Sequence, residues 1–517
     1  MSAAEGISRR GVMGAGAALA LASRVHAAAT AHVRAPSGTF VGTTDRGVHG
    51  FRGIRYGRAG RFQAPRPESN PGTLVRATTF GPVAPQQSDR YGAGNEDCLF
   101  LNIWTPETHP AANRPVMVYI HGGAYSNGSS TDPLTDGQAL AARGDVVVVT
   151  VNHRLNAFGY LYLAHLDPRF ADSGNAGQLD LILALRWVRD NIAAFGGDPS
   201  RVMVFGQSGG GAKIATMMGM PAASGLFHRA ATMSGQQVTA SGPLNATRRT
   251  RAYLAKLGTN PAALLAMPAD KLVDALDATD PILGGGIYFG PVLDMKWLVR
   301  HPFWPDANPQ SNTIPMILGN AHDETRAFIS PDSPGVQTLN WDNLAERIAP
   351  ELRIDVLPEW VVAEYRAQFP DWSPTDIFYA ATTAGRSWRG QVIEAEARAR
   401  AGTRSWVYQV DYTSRTDPRR GAFHTMDIPL VFGTLDARGS QTGTAADARA
   451  ASAAMQDSFV AFAIAGDPNH AGLPAWPVYD LTGRATMIFD ARSHVEQDPR
   501  RWQRELFARI PYIQPGT

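Results

Sequence analysis

Residues Arg114–Ile120 and 145–151 are short, apolar, β-branched runs that end at Gly, His or Asn. Runs of this length without polar alternation predict strands buried on both faces, as in a parallel sheet. Residues 175–195 follow another period. Leu179, Ile182, Leu183, Leu185 and Trp187 recur near every third or fourth position, which predicts a helix, and Gly196-Gly197-Asp198-Pro199 ends it. Residues 201–205 are strand-like again and residues 211–218 start a further helix. Later apolar runs at residues 313–318, Ser405–Val410 and Ala485–Phe489 are separated by helical stretches. Strand, helix, strand, turn, helix is the order of an α/β protein built on an open, mostly parallel sheet. The alternation spans most of the chain without repeats or low-complexity tracts. The Pro/Gly-rich stretches at 64–72 and 330–335 read as surface loops, so a single large domain over residues 28–517 is expected.

Composition narrows the function classes. Of 517 residues, 44% are hydrophobic and 18% charged, an ordinary globular balance. The 48 basic and 46 acidic residues leave a net charge of +2, too little for the electrostatic footprint of a nucleic-acid-binding protein. Only Lys213, Lys256, Lys271 and Lys296 are lysines. Cys98 is the single cysteine, so no internal disulfide and no cysteine-based metal cluster can form, and buried filler is its expected role. No metal or cofactor is implied.

The first 27 residues have the layout of an export signal. Arg9-Arg10 precede a weakly apolar Gly/Ala-rich stretch, and Val25-His26-Ala27 has the small-residue pattern of a cleavage site. The paired arginines resemble a twin-arginine leader, so a periplasmic or secreted protein is expected. The apolar stretch is well short of the roughly 20 residues of a spanning helix, and no stable membrane anchor is expected.

The chemistry is carried by Gly206-Gln207-Ser208-Gly209-Gly210, a G-x-S-x-G pattern between a predicted strand and a predicted helix. A nucleophilic serine on such a turn needs small neighbours, because its backbone is strained and its Oγ must stand clear of the sheet. It also needs a base oriented by an acid, in the chain order serine, acid, histidine. Thirteen histidines are present, so spacing alone does not select one. Glu324, after the run 315–320, and His424, after Gly421-Ala422-Phe423, fit best, with Asp323 as the competing acid. An oxyanion requires prepositioned backbone N–H groups. His121-Gly122-Gly123-Ala124 after a strand supplies Gly122 and Gly123, and Gly209 after the serine supplies the third.

These residues resemble the type-B carboxylesterase/lipase family of α/β-hydrolases, and matching segments cover nearly the whole mature chain. Glu96-Asp97-Cys98-Leu99-Phe100-Leu101-Asn102-Ile103-Trp104 is similar to the EDCLYLNVW signature. Gly53-Ile54-Arg55-Tyr56, Asn152-His153-Arg154-Leu155, Gly174-Asn175-Ala176-Gly177 and Ala465-Gly466-Asp467-Pro468-Asn469 follow in family order. The resemblance implies an α/β-hydrolase fold with helices on both faces of the sheet and insertions forming a gorge. It also implies a Ser208, Glu324, His424 triad, an oxyanion hole at Gly122, Gly123 and Gly209, and Ser234 as a supporting hydroxyl. Tyr288 and Phe289 fall where the family borders its acyl pocket, and Arg386, Trp388 and Arg389 where an entrance could lie. Three positions depart from the pattern: Gly209 stands where alanine is common, which suggests a looser turn, Thr325 replaces a glycine, and Arg55 a proline.

The expected activity is hydrolysis of a small-molecule carboxylic ester through an acyl-enzyme. An amidase or carbamate hydrolase with the same triad, and a non-catalytic binding module, are the alternatives. Oligomeric state and substrate identity are not legible.

Overall fold

The computed structural model describes residues 29–352, 354–514 and 516, so the leader-like residues 1–27 lie outside it. Thirteen strands of the described residues share one sheet, twelve in one continuous order and the short Leu74–Arg76 paired parallel to Gly38–Asp45 beside it. At one edge Ala29–Ala35, Gly38–Asp45, Val48–Arg55 and Phe100–Thr105 pair antiparallel. The next seven strands run parallel in the spatial order Val147–Val151, Arg114–Ile120, Gly197–Gln207, Arg229–Met233, Met316–Ala321, Ser405–Val410, Ala485–Phe489. An antiparallel strand, His494–Gln497, closes the far edge.

The unalternating apolar runs have the expected cause. Val116, Val118, Val202 and Val204 pack on one face with the helix Ala176–Asn191. Met117, Tyr119, Met203 and Phe205 pack on the other with the helix Ala446–Ala465. Both faces are covered, so these strands are apolar nearly throughout, and the polar residues they do carry, such as Gln207 and Asn320, are buried as well.

Several elements differ from the sequence reading; the strand expected over 313–318, for one, lies at Met316–Ala321. The helix expected over 175–195 is an α-helix over Ala176–Asn191 continued by a 3-10 turn, Ile192–Phe195, with Gly196 left-handed at φ 79°. The strand expected from residue 201 begins at Gly197 and passes through Asp198-Pro199 with a register shift before Val202, because proline has no N–H for the ladder. The antiparallel edge has no counterpart in the sequence reading: its three outer strands mix Gly, Thr and Arg with isolated apolar positions, while Phe100–Thr105, wholly buried, falls within the Glu96–Trp104 motif. Between Glu324 and Ser405 the helices Leu344–Leu352, Pro358–Gln368, Pro374–Thr383 and Arg389–Arg400 contribute to a separate apolar core that includes Ile348, Tyr365 and Ile377. No helix of the described residues is long and apolar enough to cross a membrane.

The strand order reverses at Arg114–Ile120. The chain leaves it for Val147–Val151 on one side and returns to Gly197–Gln207 on the other. Loops at the carboxyl ends of these strands therefore diverge and open a crevice, the usual ligand position in open α/β sheets.

Candidate active site

Ser208 stands in this crevice, between the strand Gly197–Gln207 and the helix Gly209–Met217, with φ 55° and ψ −126°. A non-glycine residue in this region is strained, and the strain turns its side chain out of the strand-helix path. Only glycine fits beside it: a Cβ on Gly210 would stand 2.0 Å from the Ile120 carbonyl oxygen, and one on Gly206 2.7 Å from it. Ser208 opens onto a cavity of about 560 Å³ whose wall includes Gly123, Gly209, Ser234, Tyr288 and His424.

Glu324 follows the strand Met316–Ala321 and is wholly buried, as is nearly all of His424. Glu324 Oε1 accepts from the Ala321 N–H at 2.7 Å and from Asn320 Nδ2 at 3.1 Å, and Oε2 is hydrogen-bonded to His424 Nδ1. Burial raises the pKa of this carboxyl. The His424 charge and hydrogen bond, with Ser234 and the Ala321 N–H, outweigh burial and hold it below the usual 4.5. A carboxylate at Nδ1 keeps the proton there, so Nε2 is the acceptor. The Gln207 amide donates to it, Nε2 to Nε2, at 3.1 Å. Phe328 packs on the imidazole with centroids 4.8 Å apart, and the Arg386 guanidinium lies 4.1 Å over the Phe328 ring.

Gly122 and Gly123 leave the strand Arg114–Ile120 directly. Gly123 needs its glycine: φ is 81°, and a Cβ would stand 2.2 Å from the Asn127 carbonyl oxygen. A Cβ on Gly122 would stand 3.2 Å from Ser208 Cβ, which puts this loop against the nucleophile. Gly209 is the first residue of its helix, where the N–H has no partner within the helix. Gly209 does not loosen the turn as the family comparison suggests. A Cβ there would lie 2.0 Å from the Ala124 carbonyl oxygen, so glycine answers a close approach.

Other sequence candidates divide. Asp323 turns away from His424, accepting from the Ala422 N–H at 3.0 Å and pairing with Arg326 and His322. Ser234, at φ 51°, sits beside Glu324 and favours its charge, although its Oγ lacks a partner of strict hydrogen-bond geometry. Tyr288 lines the cavity, whereas Phe289 packs on Tyr253 with centroids 5.4 Å apart. Arg386 lines it as well, while Trp388 and Arg389 are not among its lining residues. His121 stacks on His153 at 4.7 Å, and burial pushes His121 down to about 3, which suits a wall residue. Cys98 is buried and unpaired.

Several neighbours escape the sequence reading. Gln207 and Phe328 contact His424, and Asp427, which starts the next helix, accepts from the Tyr408 hydroxyl at 3.0 Å. Burial, then the Glu324 charge, pushes the Asp427 carboxyl up to about 7. The one signal available for Gln207 is its adjacency to the serine.

The sequence pattern of the carboxylesterase family matches residues 29–506. A para-nitrobenzyl esterase of Bacillus subtilis (strain 168) is 34% identical over 496 residues, covering 90% of this chain and 96% of that protein. A phenmedipham hydrolase of Pseudarthrobacter oxydans is 30% identical over 498 residues, with the same coverage, 90% and 96%. Among solved structures, a carboxylesterase of Geobacillus stearothermophilus superimposes with a TM-score of 0.82 at 37% identity, over 92% of this chain and 99% of that one.

Proposed function

From the premise that this chain belongs to the carboxylesterase family and is a carboxylic-ester hydrolase of α/β-hydrolase fold, we propose that Ser208, His424 and Glu324 carry its chemistry. His424 Nε2 takes the Ser208 hydroxyl proton as Oγ attacks the ester carbonyl. The negative oxygen of the tetrahedral intermediate accepts from the N–H groups of Gly122, Gly123 and Gly209. His424 returns the proton to the leaving alcohol, and an acyl-Ser208 ester remains. Water, deprotonated by the same nitrogen, then releases the carboxylic acid. Glu324 stays ionised throughout, fixing the tautomer and balancing the imidazolium.

The observation that carries this reading is the buried Glu324–His424 pair, with His424 and Ser208 lining the same cavity. The test is turnover of p-nitrophenyl esters of increasing acyl length by the wild type and by Ser208→Ala. Loss of turnover in a folded variant is expected, and retained turnover overturns the assignment. The same arrangement would open an amide or a carbamate, so both belong in the panel. Covalent labelling by a phosphonate separates an enzyme from a binding module.

Residues 1–27 we assign to export, on the paired arginines and the cleavage-like Val25-His26-Ala27. The exported protein is expected to start at Ala28 on N-terminal sequencing. A start at Met1 or Ser2 overturns this.

A further inference from the structure

Lys213 has no part in the reaction scheme above. It lies on the helix Gly209–Met217 among Gly, Ala and aliphatic residues, with 0% of its surface exposed. Nζ donates to the His121 carbonyl at 3.1 Å and to the Ala124 carbonyl at 2.8 Å, and stands 5.4 Å from the centroid of the Tyr125 ring. No carboxylate is ion-paired with it among the described residues, and burial alone draws its pKa down from 10.5 to about 7. The stacked His121 and His153 rings are held neutral by burial and by this lysine.

An unpaired buried cation is costly. Here the cost falls beside a centre where negative charge develops during turnover. The His121 carbonyl and the Gly122 N–H are two ends of one peptide group, so an ammonium on the carbonyl draws electron density from the N–H and strengthens it as a donor. The Ala124 carbonyl, the second acceptor, can lie where it does because Gly209 has no side chain.

Resting on the reading that Gly122, Gly123 and Gly209 hold the oxyanion, we propose that Lys213 is a positioning residue of the oxyanion hole. Its amino group anchors residues 121–124 by two carbonyls and, in its protonated form, adds a positive charge that favours the tetrahedral oxyanion over the ground-state ester.

The experiment starts with the wild type, labelled by an alkyl phosphonate and mapped by peptide mass. No label at Ser208 removes the active-site reading and this inference with it. With Ser208 labelled, active sites are titrated, and kcat and KM for p-nitrophenyl butyrate are measured per titrated site in Lys213→Met and Lys213→Arg. The Met variant is expected to keep KM within about twofold and to lose kcat by roughly ten- to a hundredfold. Its phosphonate inactivation rate should fall in parallel, and the Arg variant should recover most of the loss. A lysine that only packs would lower Tm and the titratable fraction but leave kcat per site unchanged, and that result overturns the inference alone. If the Met variant does not fold, Lys213→Gln is compared with Lys213→Arg. Higher kcat per site in Arg supports the role of charge, and equal values overturn it.

Discussion

The carbonyl oxygen of Ala124 occupies the space into which a side chain at Gly209 would project, 2.0 Å from where its Cβ would stand, and it accepts from Lys213 Nζ at 2.8 Å. The start of the helix Gly209–Met217 and the glycine loop beside it are thus fitted to each other at one carbonyl.

Gly209→Ala should therefore push the Ala124 carbonyl off Lys213 and disturb the N–H array. A fall of about tenfold in kcat/KM is expected. Added to Lys213→Met, the same substitution should cost clearly less, because the two act through one contact. Independent, multiplying effects would separate the two residues.

The acid is tested by a pair of substitutions. Glu324→Gln removes the charge that orients and balances His424, and kcat should drop by about 10³-fold or more. Asp323→Asn touches the Ala422 N–H and Arg326 instead, and activity should stay within about threefold. Steady-state kinetics on a short-chain p-nitrophenyl ester distinguishes the two, and the reverse order would move the acid to Asp323.

Glu394 sits behind the cavity wall, where its Oε1 accepts from the Gln237 N–H at 2.7 Å and its Oε2 is buried without a partner. Burial pushes this carboxyl up to about 8 from 4.5. Between those values the folded protein keeps a proton that the unfolded chain has released, so stability falls as pH rises through the window. Glu394→Gln keeps the accepting oxygen and removes the titration. Its Tm relative to the wild type should be higher at pH 9 than at pH 5. A constant difference across that range would mean the carboxyl does not titrate there.

Tyr288 meets Tyr125 edge to face, with ring centroids 6.3 Å apart, on the wall of the active-site cavity. Tyr288→Ala opens that wall. The ratio of kcat/KM for a p-nitrophenyl octanoate over the acetate should rise about three- to tenfold. An unchanged ratio would place the acyl chain elsewhere in the cavity.

How much of this was legible follows from what each feature depends on. The strands Arg114–Ile120, Ser405–Val410 and Ala485–Phe489 are readable as runs because both sheet faces are covered. The turn at Ser208 is readable because its glycines are demanded by backbone contacts within a few residues and by the Ile120 carbonyl of the neighbouring strand. Most of the antiparallel edge was hidden, since its outer strands are half-covered and rich in residues that fit loops equally well.

By itself, then, the sequence determined the α/β alternation, the strained serine turn, the glycine loop after Ile120 and the chain order of serine, acid and histidine. These depend on local backbone demands and on periodic burial. The tertiary structure brought the expected His424 onto Glu324 and not Asp323, and it decided that Tyr288 rather than Phe289 lines the cavity. It alone put Gln207 on His424 and Lys213 on the carbonyls of His121 and Ala124. The physical reason is direction: contacts across 100 residues of chain, as between Glu324 and His424, depend on where each side chain points after packing, and periodicity does not encode this.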